Sequence, residues 1–238
     1  MVTVRPDMQI RVASWNIHKG VGLDRRRDPE RILAVLKEID ADIVALQEAD
    51  KRFGTRDAIL SEMALFEAGW QAVDCNPATP SLGWHGNAII ARPEYGVPAI
   101  KNVELPTLEP RGAVRADFHV GEATVRVIGM HLDLSGLRRR QQIRTVLNHL
   151  ADSDGDPPAV LMGDFNQWGD RSGAMQEFEG PWHVCQTGPT FPTRRPIACL
   201  DRIVISPEWH CRSTHVHLSE LSLQASDHLP IVAEIELV

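Results

Sequence analysis

The 238-residue sequence predicts an α/β fold in one domain, residues 1–238, built from two related halves. Three observations predict it. Short apolar runs, Asp42–Leu46 (DIVAL) and Ala159–Met162, read as strands buried on both faces. Each follows a stretch with a helical apolar stripe and an earlier strand, which is the βαβ pattern. Polar residues then close the strands at a shared period: Glu48 follows Asn16 by 32 residues, and Asp164 follows His131 by 33. Ligands of open α/β sheets gather at the carboxyl ends of strands, so these four residues predict a site on a pseudo-twofold axis between two sheets. Coincidence between two ordinary βαβ units is the plainer alternative.

The elements follow in order. Ile10–Trp15 is a strand. Asp28 as N-cap and Pro29 at the first helical position open a helix whose stripe is Ile32, Leu33, Leu36 and Ile39. DIVAL closes the first unit. A second helix near 57–68 and strands at 87–91 and 113–120 lie between the halves. Ala123–Met130 begins the second unit, a helix spans about Leu137–Leu150 with Ile143, Val146, Leu147 and Leu150 apolar, and ADSDGDPP turns into Ala159–Met162. Strands near 200–205 and 230–236 complete the chain.

With 43% hydrophobic and 24% charged residues, collagen-like, coiled-coil and disordered readings are excluded. A chain of this length buries roughly 70% of its unfolded surface and needs no staples. Its formal net charge of −7 makes it a poor non-specific partner for DNA, although a local basic rim can act within an acidic molecule. The 25 basic residues are 21 Arg and 4 Lys, a bias that genomic base composition explains as well as phosphate binding does. Cys75, Cys185, Cys199 and Cys211 contain no C-x-x-C, the N-terminus lacks an apolar signal core, and no run is long enough to span a membrane. A cytoplasmic monomer with free thiols and no stable membrane insertion is expected. His183, Cys185, Cys199, His210 and Cys211 fit no standard zinc spacing.

Glu48, at a strand tip, suits a hard cation such as Mg²⁺, or is a solvated glutamate. Asp164 and Asn166, in LMGDFN, point the same way if the chain stays extended, one serving a metal or water and the other a phosphate; an Asx-turn is the alternative. In SDHLP, Asp227 and His228 are neighbours that point apart, so the imidazole needs another orienter, and Asp201 of CLDRIVIS is the best candidate. Such a carboxylate favours the imidazolium, which can stabilise phosphate charge. His131, in GMHLD, is a second strand-end histidine. Asn16, in SWNIHKG, offers an amide, with His18 and Lys19 beside it as helpers or surface groups.

In this order and spacing, SWNIH, LQE, HLD, GDFN, LDRI and SDH resemble the endonuclease/exonuclease/phosphatase superfamily, from about residue 10 to 236. The resemblance implies a DNase I-like four-layer α/β/β/α sandwich, two packed mixed sheets flanked by helices. It implies Mg²⁺, replaceable by Mn²⁺, on Glu48 with Asn16 and Asp227. Asp164 would activate water, Asn166 hold phosphate, Asp201 orient His228, and His131 contact phosphate or protonate the leaving oxygen. HGNAIIAR with PRGAVRA looks closer to a bacterial metal-dependent hydrolase subgroup, with His85, Asn87 and Arg111 on the substrate side. Tyr95 does not match the catalytic tyrosine of abasic-site endonucleases.

The expected function is Mg²⁺-dependent phosphodiester hydrolysis by in-line attack of water, on a phospholipid-related or small-molecule ester. Alternatives are a DNA or RNA nuclease, a phospholipid or inositol-type phosphatase, a non-catalytic binding module, and a zinc hydrolase using His210–His217. The loop 77–84 (PATPSLGW), with Trp84, reads as a packed loop or as a contact for lipid or a base.

Overall fold

The computed structural model describes residues 8–51, 57–73, 81–107, 111–121, 123–153, 155–169, 171–178 and 180–238. Cys75 and residues 77–80 of the Trp84 loop lie outside them.

The strands are β1 (Gln9–Asn16), β2 (Ile43–Gln47), β3 (Gln71–Ala72), β4 (Ala88–Ala91), β5 (Ala99–Val103), β6 (Ala113–Val120), β7 (Ala123–His131), β8 (Ala159–Asp164), β9 (His183–Cys185), β10 (Asp201–Ile205), β11 (Trp209–Val216) and β12 (Ile231–Leu237). The helices are α1 (Pro29–Ile39), α2 (Glu62–Glu67), α3 (Gly136–Ala151) and α4 (Ser222–Ala225). They form two six-stranded mixed sheets, ordered β11-β12-β1-β2-β4-β3 and β5-β6-β7-β8-β10-β9.

The two sheets share one plan. In the first, β1 and β2 are parallel around α1 and flanked by antiparallel β12 and β4. In the second, β7 and β8 are parallel around α3 and flanked by antiparallel β6 and β10. Asn16 ends the first parallel pair opposite Gln47, and His131 ends the second opposite Asp164.

α1 starts where its residues dictate. The Asp28 side chain accepts a hydrogen bond from Arg31 N, and Pro29 sits at the first turn, where no amide donor is needed. Its buried face is Ile32, Val35, Leu36 and Ile39, with Leu33 only partly covered. The helix expected over 57–68 is shorter, because Ser61 caps it at Ala64 N and the chain turns at Gly69, whose φ is +91°.

Strand period separates three apolar layers. Val12, Ile43, Ala45, Val127, Val160, Met162 and Ile203 face the other sheet. Ala13, Trp15, Val44 and Leu46 face outward onto α1. Ile128, Met130, Leu161 and Val204 face α3. The architecture is α/β/β/α. The sheets approach closely at Gly129, where a Cβ would stand 3.2 Å from Ile89 and 3.4 Å from Ala45.

Candidate active site

Alternation carries the inward face from the core to its polar end. Following Val12 and Ser14, the next inward position of β1 is Asn16. Following Val160 and Met162, that of β8 is Asp164. By the same rule β7 ends on His131, and β10 begins on Asp201. The core turns polar one step earlier, where Gln47 Nε2 donates to Ser14 Oγ at 3.3 Å.

Asp164 is the centre of the cluster and is 2% exposed. Asn16 Nδ2 donates to its Oδ2 at 3.1 Å, joining the two sheets. His131 Nε2 lies 3.4 Å from the same oxygen, and His228 Nε2 lies 3.8 Å from it. The other His228 nitrogen, Nδ1, is 2.9 Å from Asp201 Oδ2, so Asp201 occupies the orienting place behind the imidazole. Thr190 Oγ1 donates to that same Asp201 oxygen, and the Phe191 ring lies 4.8 Å from the His228 ring. Trp15 Nε1 donates to His228 O at 2.9 Å, and Ser226 Oγ donates to Asn16 O at 2.7 Å, so β1 anchors the His228 loop.

The electrostatics separate the histidines. Burial pushes the His228 imidazole down, but Asp201, by charge and hydrogen bond, with Asp164 and Asp227, outweighs it and holds the group up at about 10. Burial, helped by the Arg111 and His228 charges, pushes His131 down to about 4 against Asp164 and Glu48. His228 is therefore a cation at neutral pH and His131 a neutral imidazole. Burial, with the Asp201 charge, raises the Asp164 carboxyl against the histidines and the Asn166 amide.

Glu48 follows β2 with φ +52°. Lys19 donates to its carboxylate, and Lys19 N donates to Glu48 O at 3.1 Å. Burial raises the Glu48 carboxyl, yet Lys19, His131 and His18 bring it below its usual range. His18 N donates to Asn16 Oδ1 at 3.1 Å, and His18 Nδ1 stands 3.8 Å from Asp227 Oδ1. His18 and Lys19 thus contact candidate site residues rather than serving as plain surface groups. Glu48, Asn16 and Asp227 offer hard oxygen donors, and the ammonium already drawn to Glu48 marks a place where positive charge is favourable; this set fits a hard divalent cation. Asp164, Asp201 and His228 also bring one ligand atom each within 4.8 Å of one another and could hold a metal. Among the described residues His183, Cys185, Cys199, His210 and Cys211 make no such group: His183 and His210 are exposed, while the Cys185 thiol donates a hydrogen bond to Cys211. Neither those residues nor the histidines of His210–His217 build a zinc centre.

After Asp164 the chain takes the Asx-turn, the alternative to an extended course at Asn166. Its φ is +51°, and its backbone N donates to Asp164 Oδ1 at 2.9 Å, an Asx-turn. Its Nδ2 donates to Leu132 O at 2.9 Å. Arg111 Nη1 reaches the same carbonyl at 2.5 Å. Asn87 is fully buried, with Nδ2 donating to Gly112 O at 3.0 Å and Trp84 O at 3.3 Å, which braces the His85 loop. His85 stacks edge-on with Trp84, whose partly buried ring packs on the core.

Other positioning groups carried no sequence signal that singled them out. Asp50 accepts from Ser81 Oγ at 2.6 Å, Leu82 N at 3.3 Å and Gly86 N at 3.2 Å, holding the His85 loop. Arg139 Nε and Nη2 donate to Gln167 Oε1 at 3.3 and 3.2 Å.

The arrangement is a buried carboxylate facing one cationic and one neutral imidazole, with oxygen donors that could hold a cation, which suits hydrolysis of a phosphate ester. Comparison with solved structures supports the fold. An endonuclease/exonuclease/phosphatase from Beutenbergia cavernae superposes with a TM-score of 0.72 at 24% identity, over 96% of this chain and 72% of that one. Zebrafish (D. rerio) TDP2 complexed with a single-strand DNA product gives 0.72 at 16%, over 96% and 99%. The human Nocturnin catalytic domain with bound sulfate gives 0.70 at 20%, over 98% and 96%. No curated protein matches the sequence. Residues 13–228 match the Endonuclease/Exonuclease/phosphatase family, nearly the whole length between SWN and SDH. The chain therefore belongs to the Endonuclease/Exonuclease/phosphatase family and is a hydrolase of phosphate ester bonds with a DNase I-like fold.

Proposed function

We propose that the chain, working as one domain, is a Mg²⁺-dependent phosphodiesterase. The observation that carries this reading is the convergence of Asn16, His131 and His228 on the Asp164 carboxylate, with Asp201 behind His228. Glu48, Asn16 and Asp227 are the residues that would hold the metal. Bound there, Mg²⁺, or Mn²⁺ in its place, would polarise a phosphoryl oxygen and neutralise charge on the leaving group.

The chain's own residues do the rest. Burial makes Asp164 a stronger base than an exposed aspartate, so it takes the proton of a water attacking phosphorus in line with the leaving oxygen. The His228 imidazolium, held by Asp201, stabilises the negative charge that grows on the phosphoryl oxygens. Neutral His131 donates a hydrogen bond to phosphate. Asn166, His85 and Arg111 line the substrate side, with Asn87 bracing that edge.

The net charge of −7 favours a small-molecule or phospholipid-related ester over a nucleic-acid polymer. The second reading, a nuclease, is favoured by the likeness to zebrafish TDP2 with its DNA product. The free thiols of Cys185, Cys199 and Cys211 support a reducing, cytoplasmic setting, and we read the protein as a monomer. Among the described residues no helix is long and apolar enough to cross a membrane.

The test is turnover of bis(p-nitrophenyl) phosphate and p-nitrophenyl phosphate with Mg²⁺, Mn²⁺ or EDTA. Hydrolysis of the diester is expected, abolished by EDTA and restored by either metal. Turnover of the monoester alone would make the protein a phosphatase, and full activity in EDTA would remove the metal from the account.

A further inference from the structure

Two loops leave the catalytic cluster side by side. One runs from His131 into α3, and the other runs on from Asp164 and Asn166. Arg139 stitches them: its Nη1 donates to Asp133 O at 3.1 Å and Leu134 O at 2.6 Å, while Nε and Nη2 hold Gln167 Oε1. Asn166 Nδ2 adds a second stitch to Leu132 O. Asp133 and Gln167, inside this seam, are buried.

The next residue of each loop points the other way. Leu134 is 68% exposed, Leu137 77% and Trp168 61%. Single exposed apolar side chains are ordinary, but Leu134 and Trp168 on two joined loops, with Leu137 in the first turn of α3 between Leu134 and Arg139, gather around the Arg139 stitch as a patch beside one site. Arg138 and the exposed Arg171 add positive charge to it, with no ion pair among the described residues. In contrast, Arg140 and Arg144 are paired with Glu177. A cationic, apolar rim on a chain of net charge −7 also orients the molecule, because the acidic remainder is repelled by an anionic surface that the rim attracts.

We propose that this rim seats the protein on an anionic lipid surface and so presents phospholipid headgroups to the Asp164 site; the second half rests on the phosphoesterase reading. Two aliphatic leucines flank one indole, which suits insertion at the headgroup boundary. A row of aromatic rings, which unpaired bases would need for stacking, is missing from the rim's described residues.

Sedimentation with vesicles of phosphatidylcholine, alone or with phosphatidylglycerol, tests the proposal. Binding to the phosphatidylglycerol vesicles is expected at physiological salt. The triple variant Leu134→Ser, Leu137→Ser, Trp168→Ser should lower partitioning roughly tenfold or more. Arg138→Gln with Arg171→Gln should weaken binding and flatten its salt dependence. All variants should retain the melting temperature and turnover of soluble bis(p-nitrophenyl) phosphate. Absence of vesicle binding, or equal partitioning of the triple variant, would overturn the proposal. Binding of a single-stranded oligonucleotide in place of vesicles, lost in Trp168→Ala, would replace it with a nucleic-acid platform. Vesicle binding without any diester turnover would leave the docking intact and remove the phosphodiesterase reading.

Discussion

Three of the candidate site side chains, Asn16, His131 and Asp164, are the last inward-facing residues of strands whose earlier inward residues are core. Asn16, His131 and Asp164 were legible because a polar group ending a buried strand is conspicuous in sequence. Asp201 was legible as an acid opening a strand, and its pairing with His228 follows from the inability of adjacent Asp227 to orient that ring. Asn166 was legible by position, and of its two readings, extended chain or Asx-turn, the structure takes the Asx-turn, with φ +51°. Thr190 was illegible, since a threonine in a loop acquires meaning only when the fold brings it to Asp201 across 11 residues. Asp201 contacts no substrate in this account and acts through His228. Replacing it by Asn should lower kcat about 10²-fold or more while leaving KM nearly unchanged, measured on the diester.

The helices α1 and α3 and the central strands were readable because their apolar periods are strong, and α1 also carries its Asp28 cap. The parallel pairs β1–β2 and β7–β8 match the sequence reading within two residues at each end. Edge strands were not readable. β3 has two residues, β9 has three, and β5 (AIKNV) exposes its first three positions, so each has too few inward positions to set an alternating pattern. One glycine shows how an element fixes the site. A Cβ on Gly163 would stand 1.8 Å from Met130 O on the neighbouring strand, directly before Asp164. Gly163→Ala must therefore push β8 away from β7. It should cost about 3 kcal/mol or more in chemical denaturation and displace Asp164 from His131.

At the scale of the molecule, two sheets of one plan enclose a shared core, and the site forms where their strand ends meet. The duplication was visible as the 32- and 33-residue intervals, but the sheet-to-sheet bond from Asn16 to Asp164 was not, because no local pattern encodes it. Stability against acid depends on a second buried network. Asp117 accepts from Arg126 at 3.0 and 3.1 Å and also from Arg115. Burial raises its carboxyl, but the two guanidiniums outweigh that and hold it below its ordinary 3.8. A lowered folded-state pKa gives stability that is present above the unfolded value and lost as pH falls through the folded one. Asp117→Asn should thus cost about 3 kcal/mol at neutral pH, and the gap to wild type should close as the pH falls below 3.8, followed by denaturation at each pH. The central claim is that the Asp164 carboxylate performs chemistry, and one comparison tests it most directly: diester turnover by Asp164→Asn against wild type under saturating Mg²⁺, with melting curves of both. The account predicts a fall in kcat of about 10²-fold or more with an unchanged fold. Turnover within a few-fold of wild type in a well-folded variant would contradict it.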